Sequence, residues 1–154
     1  MKRKSKYNVD TTVTGKSKRT YDGIVFASKL EMEFYRDWVI PRIKLGEITK
    51  CERQVKYELQ PSFESKGKKY RSINYVSDFD ITFKDGSFKV IDTKGMLKPE
   101  DKIKEKLFRY RYPDIEFIFI GKSNIDGGFV PLETIIKNRK LRKQERKNGF
   151  EKNK

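Results

Sequence analysis

The stretch Tyr75-Val76-Ser77-Asp78-Phe79-Asp80-Ile81-Thr82-Phe83, the break Lys84-Asp85-Gly86-Ser87 and the return Phe88-Lys89-Val90-Ile91-Asp92-Thr93-Lys94-Gly95 decide the fold of this chain. Tyr70 to Phe83 reads as one extended run and Phe88 to Thr93 as a β-branched, apolar strand. The break between them carries hairpin chemistry, so the two are expected to pair antiparallel. In Asp92-Thr93-Lys94 the side-chain period of two puts a carboxylate and an ammonium on one face, about 7 Å apart along the chain. Asp78 and Asp80 share a face of the preceding strand on this reading, and one or both can reach across towards Asp92.

Working outward, Leu30, Phe34 and Trp38 recur at helical spacing from Ser28 to about Lys44, with Tyr35 on the flank and Pro41 marking an end or kink. Val55, Tyr57 and Leu59 alternate with polar residues as in a half-buried strand, followed by Pro61 and a mobile turn rich in Ser, Lys and Gly from Ser65 to Lys69. On the other side, Pro99 suits the first position of a helix, with Glu100 and Asp101 in its first turn. Ile103, Leu107 and Tyr110 lie on one face of that helix, and Pro113 stops it. Ile115 to Ile120 reads as a buried strand, Gly121 to Gly128 as loop, and Leu132 onward as a basic helix that frays. The order is α-β-β-β-α-β-α, and the fold class is α/β (α+β).

The 154 residues are of single-domain length, and 35% hydrophobic content with 13% aromatics suffices for one core. The formal charge of +15 is unevenly placed. Residues 1–20 carry seven Lys/Arg against one Asp, and residues 137–154 carry nine against two acids. The division expected is a basic flexible arm over 1–20, a folded domain over 21–136 and a basic helical tail over 137–154. Such arms suit a polyanion, because each neutralised phosphate releases counterions; solvated tails that aid solubility are the bland alternative. The single Cys51 forms no internal disulfide, and no apolar run reaches the length of a signal peptide or membrane span, so a cytoplasmic protein without membrane contact is expected. The absence of histidine excludes His-based general-base catalysis and Cys/His zinc sites.

What remains is carboxylate, lysine and a hard cation. Asp78 and Asp92 with water and substrate oxygens suit Mg²⁺, with Mn²⁺ as a substitute, and Lys94 would orient the attacking water or stabilise developing charge. In so basic a chain the natural target is a phosphodiester. The D/E-x-K tripeptide also occurs at Glu64/Lys66, Glu100/Lys102 and Glu145/Lys147, in a loop, a helix start and a terminal helix, whereas Asp92/Lys94 follows an apolar strand and precedes a glycine. A cross-strand salt bridge on an exposed face is the competing account; the apolar bulk of Phe79, Val90 and Ile91 weighs against it.

The helix with Phe26-Ala27-Ser28-Lys29-Leu30-Glu31, then Gln54, then Ser77-Asp78-Phe79, then Asp92-Thr93-Lys94-Gly95, resembles the PD-(D/E)XK nuclease superfamily. Within it the layout is similar to small phage-encoded endonucleases related to Holliday-junction resolvases and to the nuclease subunit of Tn7-type transposases. The resemblance spans roughly residues 21–136 and implies a restriction-endonuclease-like core, a mixed central sheet flanked by helices, and Mg²⁺-dependent cleavage of DNA. It implies catalytic and metal-binding roles for Glu31, Asp78 and Asp92 and a catalytic role for Lys94. Ser77 stands where the name-giving proline of the motif would be. Ser28-x-x-Glu31 is equally a capping box, which needs no metal. Asp80 is a reserve ligand and Gln54 a neighbour of the site. The resemblance further implies that Lys98, Lys102, Lys106 and Arg109 border the cleft as DNA contacts, and a junction-cutting activity would call for a homodimer, since two symmetric cuts need two sites.

Overall fold

The structure, a computed structural model, describes residues 10–151; most of the expected basic arm, residues 1–9, and residues 152–154 lie outside it. A short helix, α1 (Val13–Ser17), is capped by Thr12, whose hydroxyl accepts from Gly15 N–H. It leads into a two-stranded ribbon, β1 (Thr20–Tyr21) with β2 (Ile24–Val25). Regular structure therefore begins before Tyr21, the point where the sequence suggests it. Buried Arg19 ties this turn down by donating from Nε to the Phe26 carbonyl.

The helical segment expected from Ser28 to Lys44 is present in three pieces: α2 (Lys29–Phe34), a π-helical turn (Tyr35–Val39) and α3 (Ile40–Lys44). Pro41 has no N–H to return to the preceding turn, and the register slips immediately before it, where Ile40 N–H bonds to Tyr35 C=O. The wider turn moves the fully buried position from Trp38 to Val39, while Trp38 stacks on Phe34 at 4.9 Å.

A strand that the sequence did not suggest, β3 (Ile48–Arg53), follows. Its burial is mostly partial because it is an edge strand, pairing on one side with β8 (Phe79–Phe83). The chain next leaves the sheet as an arm. β4 (Lys56–Gln60) pairs with β7 (Ile73–Val76), and between them β5 (Phe63–Ser65) pairs with β6 (Lys68–Tyr70). The expected mobile turn is thus an ordered hairpin, and the single run from Tyr70 to Phe83 is three separate strands. The returning chain enters β8, turns at Asp85, whose Oδ1 accepts from Ser87 N–H and Oγ–H, and comes back as β9 (Phe88–Thr93).

After β9, α4 (Pro99–Arg111) carries the chain over to β10 (Glu116–Ser123), which runs parallel to β9. β10 runs on to Ser123, into the expected loop, and β11 (Gly128–Pro131), a strand the sequence did not suggest, pairs antiparallel with it before α5 (Leu132–Glu151). The described residues thus form a five-stranded mixed sheet, ordered β11-β10-β9-β8-β3, with helices around it. Alternation sends Phe79, Ile81, Ile91 and Ile120 to the face covered by α2, and Val90, Phe117 and Phe119 to the face covered by α4 and α5. Gly121 permits the α5 contact: a Cβ there would lie 2.7 Å from Ile135 Cδ1. Asp126 pins the same helix by accepting from Arg142, Ser123 and Asn138. Among the described residues no helix is long and apolar enough to cross a membrane.

The inner face of α4 differs from the apolar stripe expected. Ile103 and Tyr110 are exposed, and Phe108 is the fully buried residue. Asp101, Glu105 and Tyr112 share the half-buried flank with Leu107, so the helix turns a charged N-terminal half towards the end of β9.

Candidate functional site

The site forms where β9 ends, between the N-terminal ends of α2 and α4. Asp92 is the penultimate residue of β9 and 5% exposed; as an inward-facing neighbour of Val90 it lies beneath the arm. Asp78 belongs to no strand: it occupies the bend between β7 and β8, which corrects the shared strand face expected for Asp78 and Asp80. That bend lets Asp78 Oδ2 accept from Thr93 N–H at 2.7 Å and Thr93 Oγ1–H at 2.8 Å, so its carboxyl lies against the D-T-K segment. Asp78 is thereby held against the residue next to Asp92, close enough for its charge to act on the Asp92 carboxyl. Burial first, and then the charge of Asp78, push the Asp92 carboxyl up to about 8.

Lys94 Nζ lies 3.5 Å from Asp92 Oδ2 and 3.6 Å from Asp101 Oδ1. Burial disfavours its charge, but the carboxylates of Asp92, Asp101 and Asp78 outweigh that and hold its affinity for a proton above the ordinary lysine value. Tyr75, at the root of the arm, donates its hydroxyl to Asp92 Oδ2 at 3.0 Å. The phenol is pushed far up by burial and by the two aspartates, so it serves as a fixed donor.

Glu31 is 1% exposed and has two engagements. Ser28 Oγ accepts from Glu31 N–H, so the serine caps the helix as expected, while Glu31 Oε2 accepts from Ala27 N–H at 3.0 Å, one residue before the Ser28 N–H that a full capping box would use. Its other oxygen, Oε1, accepts from Arg53 at 3.2 Å and Gln54 Nε2 at 3.4 Å. Burial and the nearby Asp78 raise its proton affinity. Capping and facing the site are compatible because each uses one oxygen. Gln54 is not on a strand; it sits with φ 56 in the turn between β3 and β4, aimed at Glu31.

Asp80, the reserve ligand, lies in β8 and accepts from the Tyr57 hydroxyl. Burial raises its proton affinity, and it does not contact the Asp78–Asp92 pair by any hydrogen bond. Of the expected DNA contacts, Lys102 and Lys106 are exposed on α4. Lys98 caps that helix, its N–H donating to Asp101 Oδ2. Arg109 donates to Glu105 and to the Phe117 carbonyl, bracing α4 against β10. Arg53, Tyr75, Thr93 and Asp101 belong to the site and were not singled out for it by sequence. Arg53 lies on the missed strand β3, and its guanidinium stacks over Phe26 at 4.1 Å. Asp101 reads locally as a first-turn helix acid.

Among the described residues no three His, Cys, Asp or Glu side chains are gathered tightly enough to hold a metal ion as they stand. Two neighbouring carboxyls, Asp92 raised in proton affinity and Asp78 fixed by Thr93, nevertheless suit a hard divalent cation, which would take the place of a proton and leave most of its positions to water and substrate oxygens. Glu31 would have to release Arg53 to join them.

No curated protein and no solved structure matches the chain. A family model does match, from residue 4 to residue 125, a segment that contains Glu31, Asp78, Asp92 and Lys94 and stops short of β11 and α5. By that match the chain belongs to the family described as "Protein of unknown function (DUF1064)".

Proposed function

We propose that this protein is a Mg²⁺-dependent DNA endonuclease of the PD-(D/E)XK type, with a restriction-endonuclease-like core. The observation that carries the reading is that Asp78 is clamped onto Thr93, the residue between Asp92 and Lys94, at the end of a strand that leads into a basic helix. Asp78 and Asp92 would hold the cation, with Glu31 as a third ligand after exchange with Arg53. Mg²⁺ bound there supplies an activated water and charge neutralisation at the attacked phosphate. Thr93 clamps Asp78 through two donors, and Tyr75 fixes the orientation of Asp92. Lys94, kept protonated by three acids, donates to the attacking water or to a phosphate oxygen. Lys98, Lys102 and Lys106 extend positive charge along α4 for the neighbouring backbone. Branched or recombining DNA, a homodimer making paired cuts and a cytoplasmic setting, that of the host for a phage-encoded enzyme, complete the proposal.

One observation favours a second reading, a nuclease-derived binding or regulatory protein: Glu31 is held by Arg53 rather than gathered with the aspartates. Incubation of supercoiled and four-way-junction DNA with Mg²⁺, Mn²⁺ or excess EDTA separates the two. Asp92→Asn should lower cleavage by more than about 100-fold, above the range for outer-shell partners of a metal, while DNA binding persists. Lys94→Ala should cost about 10²–10³-fold, as for removal of one transition-state donor. Full cleavage in EDTA, or loss of binding in step with cleavage in Asp92→Asn, would overturn the assignment.

A further inference from the structure

We propose that the tip of the arm, the β5–β6 hairpin, is a nucleic-acid contact that stacks on unpaired bases. From Pro61 to Arg71 every residue is exposed. Within that exposed tip Phe63 and Tyr70 face each other across the hairpin with nearly parallel rings, 4.8 Å between centroids and 8° between planes, while remaining 46% and 40% exposed. A cross-strand aromatic pair usually stabilises a sheet by covering a core. Here neither ring joins a buried cluster, and a paired, uncovered aromatic face is the kind of apolar surface that marks an interaction site.

The surrounding charge narrows the partner. Lys66, Lys68, Lys69 and Arg71 accompany the pair against a single acid, Glu64. Lys68 Nζ lies 5.3 Å from the Tyr70 ring centroid, setting a phosphate donor beside the aromatic face. Aromatic faces interleaved with cations recognise single-stranded nucleic acid, because the bases offer π faces only when unstacked from a duplex. The turn is formed for display: Lys66 and Gly67 both have positive φ, 49° and 75°, the tight two-residue connection that matches strand twist, and it puts a lysine at the apex.

The root of the arm is rigid. Tyr57 packs edge-on against Phe108 and Tyr112, the Tyr112 hydroxyl donates to the Glu58 carbonyl, and Tyr75 packs on Phe108 and Phe117 while bonding Asp92. β7 ends two residues before Asp78. A strand bound at the tip is therefore held by an element that also orients the carboxyl pair. The choice of DNA over RNA rests on the nuclease reading; the stacking surface itself does not.

The test is fluorescence anisotropy of the full-length protein with labelled single-stranded and duplex oligonucleotides in EDTA, so that binding is read without cleavage. Replacing Phe63 and Tyr70 together by Leu keeps an apolar cross-strand pair but removes both π faces. Single-strand affinity should fall about tenfold or more, as for loss of base stacking, with an unchanged salt slope. Phe63→Trp should retain affinity. Replacing Lys66, Lys68 and Lys69 by Gln should flatten the slope of log K against log salt by about 2, at roughly 0.7 per phosphate contact on single strands. If the Leu pair binds single strands as tightly as the parent, the aromatics serve hairpin stability or a protein partner, and the proposal is overturned. A parent protein that cleaves no DNA with Mg²⁺ or Mn²⁺, while the Leu pair still lowers its single-strand affinity, would count against the nuclease reading alone.

Discussion

Tyr70 and Tyr75 lie five residues apart on the same arm and live in opposite environments. Tyr75, at the root, is 6% exposed, wedged between Phe108 and Phe117 and donating to a buried aspartate. Tyr70, at the tip, is 40% exposed and stacked on a partner with no core behind it. The root is acidic and dry, and the tip basic and wet. The same residue type thus holds a carboxylate in place at one end and offers a face to solvent at the other. What differs is the packing around it.

The largest expected contrast is in stability. Phe108→Ala empties the centre of the aromatic cluster under the root and should cost about 3–5 kcal/mol, whereas Phe63→Ala at the tip removes one cross-strand pair and should cost about 0.2–1 kcal/mol. Urea unfolding of both variants reads this directly, and equal costs would break the division into load-carrying root and display tip. The aromatic cluster also backs Tyr75, so any Phe108→Ala protein that folds should bind Mn²⁺ more weakly.

Glu31→Gln sharpens the acidic side of the comparison. Glutamine can still serve the cap at this position, but it cannot pair with Arg53 or neutralise a cation. The variant should stay folded and lose more than about tenfold in cleavage, in line with a lost ligand or its close partner. Normal cleavage would assign Glu31 to the helix cap and leave Asp78, Asp92 and Lys94 as the whole site.

The smallest expected effect, taken per unit of pH, is a slope in stability. A free aspartate binds a proton only below about 4, but Asp92 holds one up to about 8 in the folded chain. Between those values the folded protein binds more protons than the unfolded one, so metal-free stability should decline as pH rises, by at most about 1.4 kcal/mol per unit for this one group. Glu31 and Asp80, both raised by burial, act in the same direction. Asp92→Asn should remove the part of the slope that extends towards pH 8. A cation held by Asp92 would compete with its proton, so the thermal stabilisation given by Mg²⁺ should grow with pH. A flat profile in the parent protein would show that Asp92 is not held above the ordinary aspartate range.

Much of this was readable locally. Ser28 as a helix cap, the turn at Asp85-Gly86, the apolar strand running into Asp92-Thr93-Lys94 and the helix opening at Pro99 are set by neighbours a few residues away, through capping, turn chemistry and period-two alternation. The same locality put Asp92 and Lys94 on one face before any tertiary contact was considered. Edge strands β3 and β11 were not readable, because one is mostly half-solvated and the other is framed by Gly127, Gly128 and Pro131, so neither shows a clean pattern.

The acidic pair itself is a tertiary result. Asp78 reaches Thr93 because the chain breaks into a bend there instead of continuing as a strand, and that break depends on the arm turning away to pack on α4. Arg53 meets Glu31 across a separation of 22 residues, and Lys94 meets Asp101 only because α4 turns its charged half inward. Sequence determined which residue types were available and which short elements they form. Folding alone decided which of those charges lost their water together, since desolvation depends on everything packed around a group and not on its neighbours in the chain.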